Sequence, residues 1–179
     1  MTDVLERGGA SGENPGAPTA GAQVLTLGVG DELFAVPVTR VQEILDLQPI
    51  SRLPNAPGHL LGVINVRGEG VAVVDLRAVL HLPPQPDTEA TRIVVLWVRN
   101  GSDTLVAALK ADRVQEVTEL DPGPLTALPQ ARLLRWEQQM VDGLGKINGA
   151  FVTVLDIDRM FDSHMLGLPD AADPARDVA

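Results

Sequence analysis

Gly62-Val63-Ile64-Asn65-Val66-Arg67-Gly68-Glu69-Gly70-Val71-Ala72-Val73-Val74-Asp75-Leu76-Arg77 is the stretch whose reading decides the fold. Two runs rich in Val and Ile flank a glycine-containing turn at Arg67-Gly68, the pattern of a β-hairpin. Asp75 closes the second strand just before a short helical piece at 76–80. An aspartate placed there serves as an N-cap, accepting from backbone N–H groups that lack an intrahelical partner. The same plan recurs: Gly62, Gly68, Val71, Val73 and Asp75 return 81 residues later as Gly143, Gly149, Val152, Val154 and Asp156.

Working outward, a second echo lies upstream. Asp31-Glu32-Leu33-Phe34-Ala35 matches Asp103-Thr104-Leu105-Val106-Ala107, and each leads to one string, Arg40-Val41-Gln42-Glu43-Ile44 and Arg113-Val114-Gln115-Glu116-Val117. Short β-type runs broken by Gly, Asn, Asp or Pro fall at 23–28, 32–36, 61–66, 70–75, 92–98, 103–109, 141–147 and 150–155. Helical pieces are expected near 38–45, 76–80, 111–116 and 157–162. In the first, Val38, Val41, Ile44 and Leu45 form an apolar stripe, with Glu43 off it and exposed. Pro83, Pro84 and Pro86 mark 81–90 as a connection, because Pro removes ladder donors. The expectation is a mainly β fold of two similar small barrels, 22–80 and 91–162, with short helices. Residues 1–21 lack periodicity and read as a flexible arm; 164–179 read as an acidic tail. The segment 118–139 carries Pro122, Pro124 and Pro129 and receives no assignment.

Composition narrows the function. The 179 residues carry a net charge of −10, which opposes binding to polyanions and anionic membrane surfaces. The aromatic residues Phe34, Trp97, Trp136, Phe151 and Phe161 are too few for base-stacking platforms. No nucleic acid is expected as a partner. Cysteine is absent, which excludes disulfides, thiolate metal sites and cysteine nucleophiles. No apolar run approaches the ~20 residues of a spanning helix, and the polar, acidic N-terminus is unlike a signal peptide. The chain reads as a soluble cytoplasmic protein.

Few residues suggest catalysis. Asp75 and Asp156, related by the repeat, invite comparison with the paired carboxylates of an acidic aspartyl hydrolase. That site needs Asp-Thr/Ser-Gly, whereas here Asp75-Leu76-Arg77 and Asp156-Ile157-Asp158 follow bulky paths, so N-capping is the better reading. His59, His81 and His164 share no metal-ligand spacing. No phosphate-cradling glycine loop or nucleophile elbow is present. Neither cofactor nor metal is expected. Arg67, a planar donor fork at a turn between apolar strands, is either a plain surface charge or an interface anchor.

These residues have a family look. The chain resembles the CheW family of bacterial chemotaxis coupling proteins, whose pattern is similar to Gly-Val-x-Asn-Leu-Arg-Gly followed by Val-Asp-Leu-Arg. Here the match is Gly62 to Gly68 and Val73 to Arg77, with Val66 in place of Leu. Val41-Gln42-Glu43-Ile44, Ile50-Ser51-Arg52-Leu53-Pro54-Asn55-Ala56-Pro57, Gly143-Leu144-Gly145 and Val152 to Ile157 extend it over about 22–163. The resemblance implies two five-stranded SH3-like β-barrels packed together. It implies a non-catalytic adaptor joining the cytoplasmic tip of methyl-accepting chemotaxis receptors to the regulatory domain of a CheA-type histidine kinase.

Such an adaptor would scaffold signalling arrays at the membrane without inserting into it, and ring assembly with kinase domains is a further implication. The receptor face implied here comprises Val41, Ile50, Gly62, Asn65 and Arg67. Gly62 leaves room for a partner side chain or close backbone approach. Glu43 falls at a coupling position, toward receptor or kinase. Asp75 and Arg77 are implied, more weakly, as kinase contacts. An adaptor of a pathway governing pili, gliding or development fits the same sequence.

Overall fold

The computed structural model describes residues 21–126 and 140–162. The strands are β1 (Gln23–Val29), β2 (Glu32–Pro37), β3 (Val41–Asp46), β4 (Leu60–Val66), β5 (Glu69–Asp75), β6 (Arg92–Asn100), β7 (Asp103–Ala111), β8 (Arg113–Glu119), β9 (Val141–Ile147) and β10 (Ala150–Leu155). One-turn helices α1 (Leu76–Val79) and α2 (Ile157–Met160) follow β5 and β10, and a 3₁₀ turn spans Val38–Arg40. The strands form two five-stranded sheets, ordered β8-β1-β2-β10-β9 and β3-β6-β7-β5-β4.

The repeat is structural, but it does not divide the sheets at 81–90 as the sequence suggested. Matching β1–β5 onto β6–β10 turns one sheet order into the other. Each sheet therefore takes its first hairpin from one half and its last three strands from the other. Parallel pairing of β2 with β10 and of β5 with β7 joins the halves. The contiguous barrels 22–80 and 91–162 are thus replaced by two sheets of exchanged strands. Neither is a closed barrel: beyond the edge strands, closure amounts to single bridges, Ser51 to Val63 and Thr126 to Leu144.

The central strands β1, β2 and β6 are buried on both faces over most of their length, which explains their nearly continuous apolar runs, while the edge strands β3 and β8 stay largely half-buried or exposed. A shared core takes Leu25, Leu27, Phe34 and Val36 from one sheet and Val74, Val94, Leu96 and Leu109 from the other. Separate cores fill the outer curl of each sheet, around Ile64, Val73, Ile93 and Val95 and around Val24, Ala35, Val152 and Val154.

The helices expected at 38–45 and 111–116 are instead bulged edge strands, β3 and β8, the first preceded by the 3₁₀ turn. Pairing slips between Val41 and Glu43 opposite β6, and again where Leu25 and Leu27 of β1 face β8. The repeated Arg-Val-Gln-Glu string is thus a bulge placed twice. A bulge breaks period-2 alternation, so apolar residues fall at spacings that mimic a helix. The unassigned segment begins as β8 and runs to the Thr126 bridge, while 127–139 lies outside the described residues, as do 1–20 and 163–179.

Candidate functional site

Arg67 sits at the β4–β5 turn with φ +52, a left-handed conformation that L residues seldom adopt. Its side chain is 75% exposed, and its Nη2 donates to Oε2 of Glu43 at 3.2 Å. Glu43 lies on β3, at the opposite edge of the same sheet. The pair therefore spans the mouth of the curled sheet, where no backbone ladder runs. Glu43 is not the exposed residue expected: the bulge at Gln42 turns its side chain, 22% exposed, toward the turn. Its second oxygen, Oε1, is buried with no hydrogen-bond partner among the described residues, as is Oε1 of Gln42.

The turn is fixed locally. Oδ1 of Asn65 accepts from the Gly68 N–H at 2.8 Å. The repeat supplies an internal comparison, since Asn148 and Gly149 occupy the equivalent turn, Asn148 at φ +51. Asn-Gly is the favoured pair for such a turn. Arg67 thus occupies a place where folding alone favours Asn.

Gly62 is required, but by its own chain. Its φ is +143, and a Cβ there would lie 2.1 Å from the Ser51 carbonyl oxygen. Ser51 and Val63 exchange hydrogen bonds at 2.9 and 2.8 Å beside it. The close approach expected from a partner is therefore intramolecular. It lays the segment carrying Ile50 along β4, with Ile50 packed on the outer core of that sheet. Val41 packs instead on the shared core, the bulge separating it from Glu43. The structure thus gathers Glu43, Asn65 and Arg67, keeps Gly62 within β4 with Ile50 beside that strand, and sets Val41 apart.

Asp75 and Arg77 lie at the far end of β5, about 20 Å along the strand. Arg77, implied by the resemblance as a weak kinase contact, is buried, 7% exposed. Its guanidinium bonds both oxygens of Asp112, at 2.8–3.1 Å, with Pro83 O at 2.5 Å and Gln85 Oε1 at 2.8 Å. The Asp112 hydrogen bond raises the Arg77 pKa against the opposing effect of burial, with the charges of Asp112 and Asp75 adding. For Asp112, burial pushes upward, but the Arg77 bond, the Gly30 N–H and the Arg77 and Arg113 charges hold it below the usual carboxylate value.

Asp75 and Asp156 cap α1 and α2, accepting from Arg77 N at 3.0 Å and Arg159 N at 3.1 Å. The structure thus gives both repeat-related aspartates capping roles. Among the described residues no group of three or more His, Asp or Glu could hold a metal ion; His164 lies outside them.

The sequence reading missed Asp112, Arg40 and Asp158. Asp112 joins β7 to β8, and its carboxylate accepts from the Gly30 N–H and from Arg77 of α1. At the equivalent crossover Arg40 joins β2 to β3 and bonds Asp158 of α2, which accepts from the Arg99 N–H. The charges are reversed between the two, so no identity match links them. Their signal was an ionic residue at each passage between β-type runs.

Residues 23–165 match the CheW-like domain family. A chemotaxis protein CheW of Helicobacter pylori is 30% identical over 137 residues, covering 74% of this chain and 76% of the relative. Another, from Rhizobium meliloti, is 28% identical over 144 residues, covering 80% and 90%. The crystal structure of the scaffolding protein TtCheW from Thermoanaerobacter tengcongensis superposes with a TM-score of 0.70 at 20% identity, covering 81% of this chain and 95% of that one.

Proposed function

The chain belongs to the CheW-like family of chemotaxis scaffold proteins, and from that premise we propose that it couples methyl-accepting chemoreceptors to a CheA-type histidine kinase. The adaptor is non-catalytic. It works in the cytoplasm and is recruited to membrane-associated receptor arrays, where ring assembly with kinase domains follows. Among the described residues no helix is long and apolar enough to cross a membrane.

The observation that carries this reading is Arg67, exposed and held in a left-handed conformation where its repeat partner is Asn148. Backbone strain kept against folding preference is a mark of a functional position. The receptor's helical tip docks beside this turn. Arg67 donates to the tip, and Glu43, accepting from Arg67 through Oε2, orients its guanidinium. Asn65 sets the turn, and Gly62 with Ile50 fixes the neighbouring edge. Val41 contributes through the shared core. Receptor packing changes bias the kinase through differential contacts in two states. Asp75 and Arg77 support kinase pairing by holding the far end of β5 in shape.

The test is affinity for a purified receptor-tip hairpin and for the kinase regulatory domain. Arg67→Glu weakens receptor binding by about 30-fold or more and leaves the fold and kinase binding intact. Unchanged receptor affinity in the folded variant would refute the assignment.

A further inference from the structure

The two passages between sheets are built differently. β2 reaches β3 through Pro37 and the 3₁₀ turn Val38–Arg40, and proline fixes the backbone there. β7 reaches β8 through Asp112 alone. From Asp103 to Glu119 the sequence holds neither Gly nor Pro: Asp103-Thr104-Leu105-Val106-Ala107-Ala108-Leu109-Lys110-Ala111-Asp112-Arg113-Val114-Gln115-Glu116-Val117-Thr118-Glu119. Nothing in it opposes a single continuous strand. The fold-back is held by side chains around one residue. Asp112 Oδ2 accepts from Gly30 N at 2.8 Å and from Arg77 Nη2 at 2.8 Å, while Arg113 Nη1 donates to Gly30 O at 2.7 Å.

Among the described residues beyond this hinge, β8 and β10 join the rest of their sheet through β1–β8 and β2–β10 pairing, with Leu120 N donating to Ala22 O and Asp158 of α2 accepting from Arg40 and the Arg99 N–H. Those pairings need no particular chain connectivity. The two halves of the repeat already trade strands in this way within one molecule.

We propose that the partner for these pairings is also a second copy of this chain: with Asp112 extended, two molecules exchange β8, β9, β10 and α2, forming a strand-swapped dimer. Every strand pairing of the monomer recurs in it, so the equilibrium is set by the hinge and by association. Short hinges favour such exchange. The Asp112 bonds to Arg77 and Gly30 hold the hinge in its folded-back form. The dimer carries two Arg67 faces on one particle.

The absence of cysteine permits a direct test. Gln23 and Glu119 are exposed and face each other across β1 and β8. The full chain carrying Gln23→Cys and Glu119→Cys is refolded at high concentration, separated by gel filtration with light scattering, oxidised, and run on a denaturing gel without reductant. The monomer fraction gives disulfides within one chain, and the dimer fraction gives covalently linked pairs.

Asp112→Asn in this background raises the dimer fraction by about tenfold, since a charge-assisted bond of the closed hinge is lost. Inserting Gly-Ser-Gly after Asp112 suppresses the dimer by relaxing the fold-back. The proposal is overturned if the wild-type hinge and Asp112→Asn both stay monomeric at the highest soluble concentration. Intrachain disulfides in an isolated dimer overturn it equally, as does a dimer fraction indifferent to the insertion. Should Asp112→Asn fail to fold, the wild-type hinge and the insertion decide.

Discussion

Arg67→Asn asks whether the arginine is kept for the fold or for a partner. Its φ of +52 costs an ordinary L residue about 1–2 kcal/mol. Asn tolerates that conformation, and Asn148 adopts it at φ +51 in the equivalent turn. The substitution therefore recovers about 1 kcal/mol. Against this stands the ion pair with Glu43. Because the Arg67 side chain is 75% exposed, solvent screening limits that loss to about 0.5 kcal/mol. The net effect is a gain of about 0.5 kcal/mol, which raises Tm by about 1–2 °C. Receptor-tip affinity moves the other way, falling by about 30-fold, the equivalent of about 2 kcal/mol at an interface anchor. Urea and thermal unfolding report the first quantity, and calorimetric titration with a receptor-tip hairpin reports the second. A variant destabilised by more than about 1 kcal/mol with undiminished affinity would make Arg67 a folding residue and refute the reasoning.

Gly62→Ala should cost about 3 kcal/mol, since its Cβ would overlap the Ser51 carbonyl oxygen at 2.1 Å. Gly143→Ala should cost less, about 1–2 kcal/mol, because its nearest contact is Thr126 O at 3.0 Å; equal losses in denaturant titrations would contradict the geometry. Arg77→Ala should destabilise by about 3–5 kcal/mol, leaving Asp112 without its buried partner, and Arg77→Lys should restore only part of this because one ammonium cannot replace the fork. Asp112 is held below its ordinary value, so its contribution is present above the unfolded pKa of about 4 and is lost as pH falls through the lower folded value. The stability difference between wild type and Asp112→Asn should therefore shrink from pH 7 toward pH 2, and a constant difference would contradict the pairing. Asp75→Ala should cost about 0.5–2 kcal/mol as a lost N-cap, read from the urea midpoint, and no change would remove the capping role.

The hairpins were legible in the sequence because each alternates around a glycine turn, and the repeat announced its own symmetry. The exchange of strands between the halves was not, because it depends on where β3 and β8 go after each hairpin. Those strands hid behind the bulge at the Arg-Val-Gln-Glu string, whose apolar spacing imitates a helix. Arg67 and Asn65 stood out at a turn. Glu43 was identified, but its inward orientation follows from the bulge and escaped pattern reading. Arg77 was read as a weak kinase contact, and its pairing with Asp112, 35 residues away, left no local signal. Gly62 was read as clearance for a partner side chain or a close backbone approach; the backbone that approaches is the chain's own, through the Ser51 bridge.

The account rests on one molecule joining two others. The direct test is ternary assembly: the purified chain is mixed with a receptor-tip hairpin and a kinase regulatory domain and followed by sedimentation velocity. The account predicts a complex containing all three with the wild-type chain, and a binary complex with the kinase domain alone when Arg67→Glu replaces it. Failure of the folded wild-type chain to hold both partners at once would contradict it.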